Sequence, residues 1–262
     1  MTQKKRNPIS YVCYQMVKWL VRVFYPRTEV IGTENLGEEP CLVVGNHTHM
    51  HGPIACELYF PGNRYTWCAG QMMHLKDVPA YAFQDFWSGR PKGSHWFYRV
   101  LSYLIAPLSV CVFRNANTIP VYRDTRIIAT FKGTVERLSE GANVVVFPEH
   151  AVSYNQIVYD FQGRFIDVAK LYYKRTGKAL SFVPMYIAPA LKKMYLGRPV
   201  RFDPDAPMDL ERERIRAYLM DTITQMAVEL PRHRVVPYLN VPKKQYPYSR
   251  PAEEVNYEKT SG

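Results

Sequence analysis

The sequence predicts an α/β fold: a mostly parallel central sheet flanked by helices, with an amphipathic helix at its amino end. Three observations predict it. Short apolar runs recur at Cys41–Gly45 (CLVVG), 143–147 (NVVVF) and 180–187 (LSFVPMYI), and unbroken runs of that length are what strands buried on both faces require. Helical periodicity fills several of the intervals between apolar runs, the alternation that builds parallel sheets by crossover. The chain has 262 residues, 47% of them apolar and 22% charged, so it can bury a core as one domain without staples and is not globally disordered.

Taken in order, residues 9–25 are apolar-rich, but Lys18 and Arg22 interrupt them and no small-residue cleavage site follows, which argues against a secretory signal. At helical spacing Val12, Met16, Trp19, Leu20 and Phe24 take one side. Such a basic amphipathic helix either lies in a lipid interface or packs on the domain's own core. CLVVG then ends at a loop signal and reads as the first buried strand. Residues 96–113 are an apolar run of borderline length for a membrane span; Arg99 and Pro107 inside it favour a buried or half-inserted helix pair. A short strand at 119–122 leads into a helix at 124–138, with Ile128, Phe131, Val135 and Leu138 three and four apart. Glu140-Gly141 stops that helix and 143–147 returns as a strand, together a right-handed βαβ unit with parallel strands. A helix at 166–174 ends near Gly177 and is followed by the strand at 180–187. Asp209 caps a last helix whose core side is Ile215, Tyr218, Leu219, Ile223, Met226 and Leu230. From Pro231 the composition turns to Pro, Tyr and Lys and reads as an extended, partly mobile tail. The expected division is a membrane-docking segment at 1–26, one domain at 27–230 and a tail at 231–262.

Charge narrows the partners. Thirty-four Lys and Arg face 23 Asp and Glu, a net +11 that favours polyanions. Twenty Tyr, 12 Phe and 4 Trp beside those cations suit an anionic membrane surface, where amphipathic rings settle at headgroup level. No basic block longer than Lys4-Lys5-Arg6 and no nucleic-acid-binding signature occurs, so nucleic acid is not an expected partner. The five cysteines form no C-x-x-C pair and leave one odd, which speaks against a zinc finger or disulfide scaffold and for a reducing compartment. The expected location is the cytoplasmic face of a membrane, peripherally bound.

In parallel sheets ligands bind beyond the carboxyl ends of strands, and three segments fall there. Gly45-Asn46-His47-Thr48-His49-Met50-His51-Gly52-Pro53 follows the first buried strand; Arg123 follows the strand at 119–122; Phe147-Pro148-Glu149-His150 follows the strand at 143–147. A histidine, an arginine and a glutamate meeting from three strand ends would supply a base, an anion clamp and a polar anchor.

With those segments in that order, the sequence resembles the glycerolipid acyltransferases of the lysophosphatidic-acid acyltransferase type. Asn46-His47 is similar to the start of the family's NH-x4-D block, Ile119-Pro120-Val121-Tyr122-Arg123 to its second block, and Phe147-Pro148-Glu149 to its FPEG block. Phe161-Gln162-Gly163-Arg164-Phe165 looks like the family's F-x-x-G-x-F with one position fewer before the glycine, and residues 182–187 like its fourth block; the likeness spans about residues 25 to 230. The resemblance implies a glycerol-phosphate acyltransferase-like fold and transfer of an acyl group from acyl-CoA or an acyl carrier protein to a hydroxyl of a lysophospholipid, in phospholipid biosynthesis. It implies His47 as general base and Glu149 as the group that accepts hydrogen bonds from the acceptor, both catalytic. Asn46, Arg123, Phe147, Pro148 and His150 would contact substrate, with no metal or organic cofactor.

The sequence departs from that pattern where the chemistry is sharpest. Gly52 stands in place of the first block's Asp, His150 in place of the third block's Gly, and Val152 in place of its Arg. Removing the carboxylate that steers a histidine base costs about 10⁴-fold in the serine-protease triad. Glu57, Asp77 or Asp85 could replace it, or His51 or His150 could orient His47 through a hydrogen bond. A second function stays open beside catalysis: a lipid-binding protein that kept the fold and lost the dyad, a reading that a large gain of activity in Gly52→Asp would support and no gain in an already active protein would refute. A third is a metal-dependent hydrolase using His47, His49 and His51, which share a face only in an extended strand. Arg123 also has a plain reading, pairing with Glu136 or Glu140, as does Glu149, as an acid at a helix start; His74 and His95 read as structural.

Overall fold

The computed structural model describes residues 7–122 and 124–251. The sequence-predicted α/β class is what it contains. Helix α1 (Pro8–Phe24) leads to β1 (Glu29–Ile31), β2 (Cys41–Gly45), α2 (His51–Tyr59) and β3 (Arg64–Ala69). There follow α3 (Val78–Ala82), α4 (His95–Asn115), β4 (Thr118–Val121), α5 (Ile127–Ser139), β5 (Asn143–Val146), β6 (Glu149–Ser153) and β7 (Tyr159–Phe161). The chain continues through α6 (Asp167–Thr176), β8 (Ser181–Ala188), β9 (Lys193–Leu196), β10 (Val200–Arg201) and α7 (Met208–Glu229). The main sheet runs β1-β9-β8-β2-β5-β3-β4, with β10 against β8, and β6 pairs β7 as a separate ribbon. β8, β2, β5, β3 and β4 are mutually parallel; β9 and β10 run antiparallel to β8. β4 and β5 are parallel as expected, but β3 lies between them, so the helix α5 crosses over an intervening strand.

Period-two alternation sorts the core. Leu42, Val44, Val144, Val146, Phe182 and Tyr186 face one side, where α5, α6 and α7 bring Leu138, Val168, Tyr172, Ile215, Leu219 and Ile223. Cys41, Val43, Val145, Val183 and Met185 face the other, covered by Ala55 and Cys56 of α2. With both faces covered, β2 has no exposed residue, which is why it reads as an unbroken apolar run.

Helices α1 and α4 lie outside these layers. Asn7 caps α1 by accepting from the N–H groups of Ile9 and Ser10. Tyr14 is its buried residue; Ile9, Val12, Met16, Trp19, Leu20, Val23 and Phe24 all stand exposed. Helix α4 is one continuous helix, a correction to the expected pair: it runs through Pro107, which sits on its exposed side. Its small residues Ser102, Ala106 and Ser109 are buried, while Trp96, Phe97, Val100, Tyr103, Leu104 and Leu108 are exposed. The helical segment Lys92–Asn115 is long and apolar enough to cross a membrane by length and composition. The two helices touch where Asn115 Nδ2 donates to Ser10 Oγ at 2.7 Å and Ser10 Oγ meets Cys111 Sγ at 3.7 Å.

Two further differences concern the carboxyl end. Asp209 lies inside the first turn of α7, with Pro207 at the cap, and pairs with Arg212 instead of capping. Residues 231–251 are not an extended tail: His233, Val235 and Ser249 are buried at 4%, 1% and 0% exposure. Arg234 pairs with Tyr248 in an antiparallel bridge, so the segment doubles back as a hairpin-like arm on the domain. Residues 1–6, 123 and 252–262 lie outside the description, and with them the expected site residue Arg123.

Candidate active site

The segment after β2 is built to hold one shape. Asn46 is buried; its Nδ2 donates to the Ile187 carbonyl at 3.1 Å and its Oδ1 accepts from Ile187 N–H at 2.7 Å, clasping the end of β8. Both polar ends of this amide are committed to the sheet, so Asn46 serves the site by fixing the loop that follows. Thr48 and His49 then take the left-handed region at φ 46° and 53°. Two successive residues with side chains in that region, one of them β-branched, store strain of about 1 to 3 kcal/mol each. Thr48 is 1% exposed and its hydroxyl has no hydrogen-bond partner among the described residues. The turn closes when His51 N–H reaches the Thr48 carbonyl at 3.0 Å and Gly52 N–H reaches the His47 carbonyl at 3.2 Å, and α2 starts there.

That closure explains Gly52. A Cβ at this position would lie 2.5 Å from the His47 carbonyl oxygen and 3.1 Å from the Phe147 ring. Glycine is a requirement of the turn, and Gly52→Asp would push the loop open instead of restoring a dyad. Among the described residues no carboxylate reaches the His47 imidazole. Glu57 is taken by Tyr14, Lys18 and Arg64. Neither candidate histidine is at hand: His51 Nδ1 lies 3.2 Å from the Tyr25 hydroxyl, and His150 Nε2 lies 3.0 Å from Asp160.

The imidazole is instead set among rings. Phe147 meets it edge-on at 5.3 Å between centroids and 72°, and Tyr238 at 6.1 Å and 88°. Burial, with a smaller push from the charge of His49, lowers His47 to about 4, while a hydrogen bond to the His49 backbone opposes the shift. At neutral pH the ring is therefore uncharged and able to accept a proton.

Glu149 stands next to this loop, because β5 and β2 are neighbours and both end there. It is 5% exposed. Its Oε2 accepts from the His47 backbone N–H at 2.5 Å and its Oε1 from Tyr159 N–H at 3.0 Å, so the carboxyl staples the loop to β7. Burial pushes it up to about 7, with the two backbone donors pulling down. Each oxygen retains a lone pair for a further donor. Pro148 is buried and its carbonyl accepts from Gln162 N–H at 3.0 Å.

The residues singled out in the sequence thus divide. His47, Phe147 and Glu149 come together, and Asn46 anchors them. His150 faces its own partners: Asp160, half-buried, bridges it to Arg216 of α7 at 2.7 Å. The three histidines of the loop separate. His47 meets Phe147 and Tyr238, His49 Nε2 lies 3.0 Å from the Leu239 carbonyl, and His51 packs on Tyr25. No group of three or more metal-ligating side chains occurs among the described residues, so the histidine string is not a ligand set.

Sequence reasoning missed Tyr159 and the arm at 231–251. Tyr238 lies 5.7 Å from Tyr159 as well as against His47, and Tyr246 meets His49 at 6.3 Å. Beside them a cavity of about 270 Å³ is lined by Ser153, Asn155, Gln156, Tyr159, Pro237 and Val241, among others. The available signal was the density of aromatic residues in VPYLNVPKKQYPY, too apolar for a solvated tail.

Comparison with known proteins adds a limited finding. No model of a known family matches the sequence, and no curated protein matches it. Among solved structures the chain is similar to the 1-acyl-sn-glycerophosphate (LPA) acyltransferase, PlsC, from Thermotoga maritima, at 14% identity and a TM-score of 0.43, over 83% of this chain and 78% of that one.

Proposed function

We propose that this chain is a peripheral membrane acyltransferase that moves a fatty acyl group from an acyl thioester, acyl-CoA or an acyl carrier protein, to a hydroxyl of a lysophospholipid or related lipid at the cytoplasmic face. The observation that carries the reading is the uncharged His47 imidazole at the carboxyl end of β2, on a strained loop stapled by Glu149. Strain held in place at a strand end is a mark of a working site, and a neutral imidazole there is free to take a hydroxyl proton. His47 removes that proton as the oxygen attacks the thioester carbonyl. The new C–O bond forms, the tetrahedral intermediate collapses with loss of the C–S bond, and the proton passes from the imidazolium to the departing thiolate. Phe147 and Tyr238 keep water from the base, which favours transfer to lipid over hydrolysis. Val152 where the resembled family has Arg leaves the acceptor open to headgroups other than a simple phosphate monoester.

The exposed apolar faces of α1 and α4, with Arg22 and Arg99 among them, support docking in the plane of an anionic membrane. Purified protein on anionic vesicles with a lysophospholipid and acyl-CoA or acyl carrier protein is expected to form a diacyl product detectable by mass spectrometry. His47→Ala should reduce it by about 10²-fold or more. Undiminished product from His47→Ala would overturn the role of His47, and no product with any lysolipid would overturn acyl transfer. A second reading, lipid binding without turnover, is favoured by the lack of a carboxylate at His47 among the described residues; it predicts vesicle binding with the thioester left intact.

A further inference from the structure

We propose that Tyr238, at the tip of the carboxy-terminal arm, is a positioning residue for His47, fixing the plane of the imidazole and shielding it from water as a carboxylate partner would otherwise fix it. The proposal rests on His47 being the base, and goes beyond it by assigning a task to a segment outside the resembled region.

The base of the arm is tied to the sheet and to itself. His233 Nε2 lies 2.7 Å from the hydroxyl of Tyr186, a fully buried residue of β8. Val235 N–H donates to the Pro247 carbonyl at 2.9 Å and Ser249 N–H to the His233 carbonyl at 2.9 Å, locking the two legs together. Arg232 and Arg234 both lie over the Tyr248 ring, at 3.4 and 4.1 Å.

What the tip touches is the loop that carries the base, at three points. Tyr238 meets His47 at 88°, the Leu239 carbonyl lies 3.0 Å from His49 Nε2, and Tyr246 meets His49 at 78°. Tyr238 also packs on Tyr159, whose N–H holds Glu149. One side chain therefore bears on both halves of the candidate catalytic pair. The need for such a prop follows from Gly52, where no side chain fits and hence no steering carboxylate can be placed. Two rings nearly perpendicular to an imidazole leave it little freedom to turn about its Cβ–Cγ bond, and edge-to-face contact is the arrangement aromatic quadrupoles prefer.

The test is a titration of His47 by NMR in the full chain, with wild-type protein, Tyr238→Phe, Tyr238→Ala and Tyr246→Ala, and with folding checked by thermal melting. Wild type is expected to titrate near 4. Tyr238→Phe keeps the ring and should move the midpoint less than Tyr238→Ala. Tyr238→Ala admits water and should raise the midpoint toward 6.5 by about 1 unit or more, and lower kcat by about tenfold with the acceptor KM little changed. Tyr246→Ala, which loosens the tip without baring His47, should shift the midpoint in the same direction by less. A midpoint left in place by Tyr238→Ala overturns the proposal. A shifted midpoint together with full activity of His47→Ala would overturn the base while leaving the contact intact, so the two failures are distinguishable.

Discussion

At the scale of single residues, the site holds one acid pushed up and one base pushed down, and their signs oppose. Glu149 sits near 7 in the folded chain against 4.5 ordinarily, so between those values the folded state binds more protons than the unfolded one, and stability falls as pH rises. His47 sits near 4 against 6.5, so between those values the unfolded state binds more, and stability falls as pH falls. From about 4.5 to 6.5 the two slopes, each at most about 1.4 kcal/mol per pH unit, nearly cancel. Removing one partner should unmask the other. Urea denaturation of His47→Gln is expected to show stability declining from pH 4.5 to 7, and Glu149→Gln to show it rising from pH 4 to 6.5; parallel curves for both variants would contradict the assignment. Gly52→Ala belongs at the same scale. With a Cβ 2.5 Å from a backbone carbonyl, it should cost about 1 to 3 kcal/mol and reduce activity, and Gly52→Asp should do no better.

At the scale of elements, α1 is latched to α2 by one carboxylate. Glu57 accepts from Tyr14 and, at 2.6 and 2.7 Å, from Lys18 and Arg64, and Arg64 is only 7% exposed. Glu57→Ala leaves that guanidinium buried and unpaired and should cost about 3 kcal/mol by chemical denaturation; a loss under about 1 kcal/mol would show that α1 is held by packing alone. The outward faces of α1 and α4 make a separate prediction. Trp19→Glu and Trp96→Glu should each weaken sedimentation with anionic vesicles about tenfold while leaving the fold intact, and raised salt should weaken the wild type. Equal binding to neutral vesicles at high salt would contradict an anionic surface. The amphipathic side of α1 was legible because Val12, Met16, Trp19 and Leu20 repeat at helical spacing. The continuity of α4 was not, because Pro107 removes one intrahelical hydrogen bond and crowds the carbonyl four residues before it, which in a sequence signals a break.

For the whole molecule, what could be read in advance was what burial dictates. The strands β2, β5 and β8 are covered on both faces, and that leaves an unbroken apolar run in any sequence that forms them. Strands β1, β9 and β10 at one side of the sheet are short and partly polar, so nothing local distinguished them from loop. The meeting of His47 with Glu149 followed from strand ends, because adjacent parallel strands deliver their following residues to one place. Tyr238 could not be found that way: it reaches His47 from 191 positions along the chain (238 − 47), through an arm whose own residues read as tail. Ending the chain at residue 230 should uncover Tyr186 and remove buried Val235 and His233, at a cost of about 3 kcal/mol by denaturant unfolding; an unchanged midpoint would mean the arm is an ornament.

The central claim is that His47 drives acyl transfer from the end of β2, and release of free thiol from an acyl thioester tests it most directly. On anionic vesicles, wild-type protein should release thiol only when a lysolipid acceptor is added, and His47→Ala, bound to the same vesicles, should release it at least about 10²-fold more slowly. Equal release by the two proteins, or release that ignores the acceptor, would contradict it.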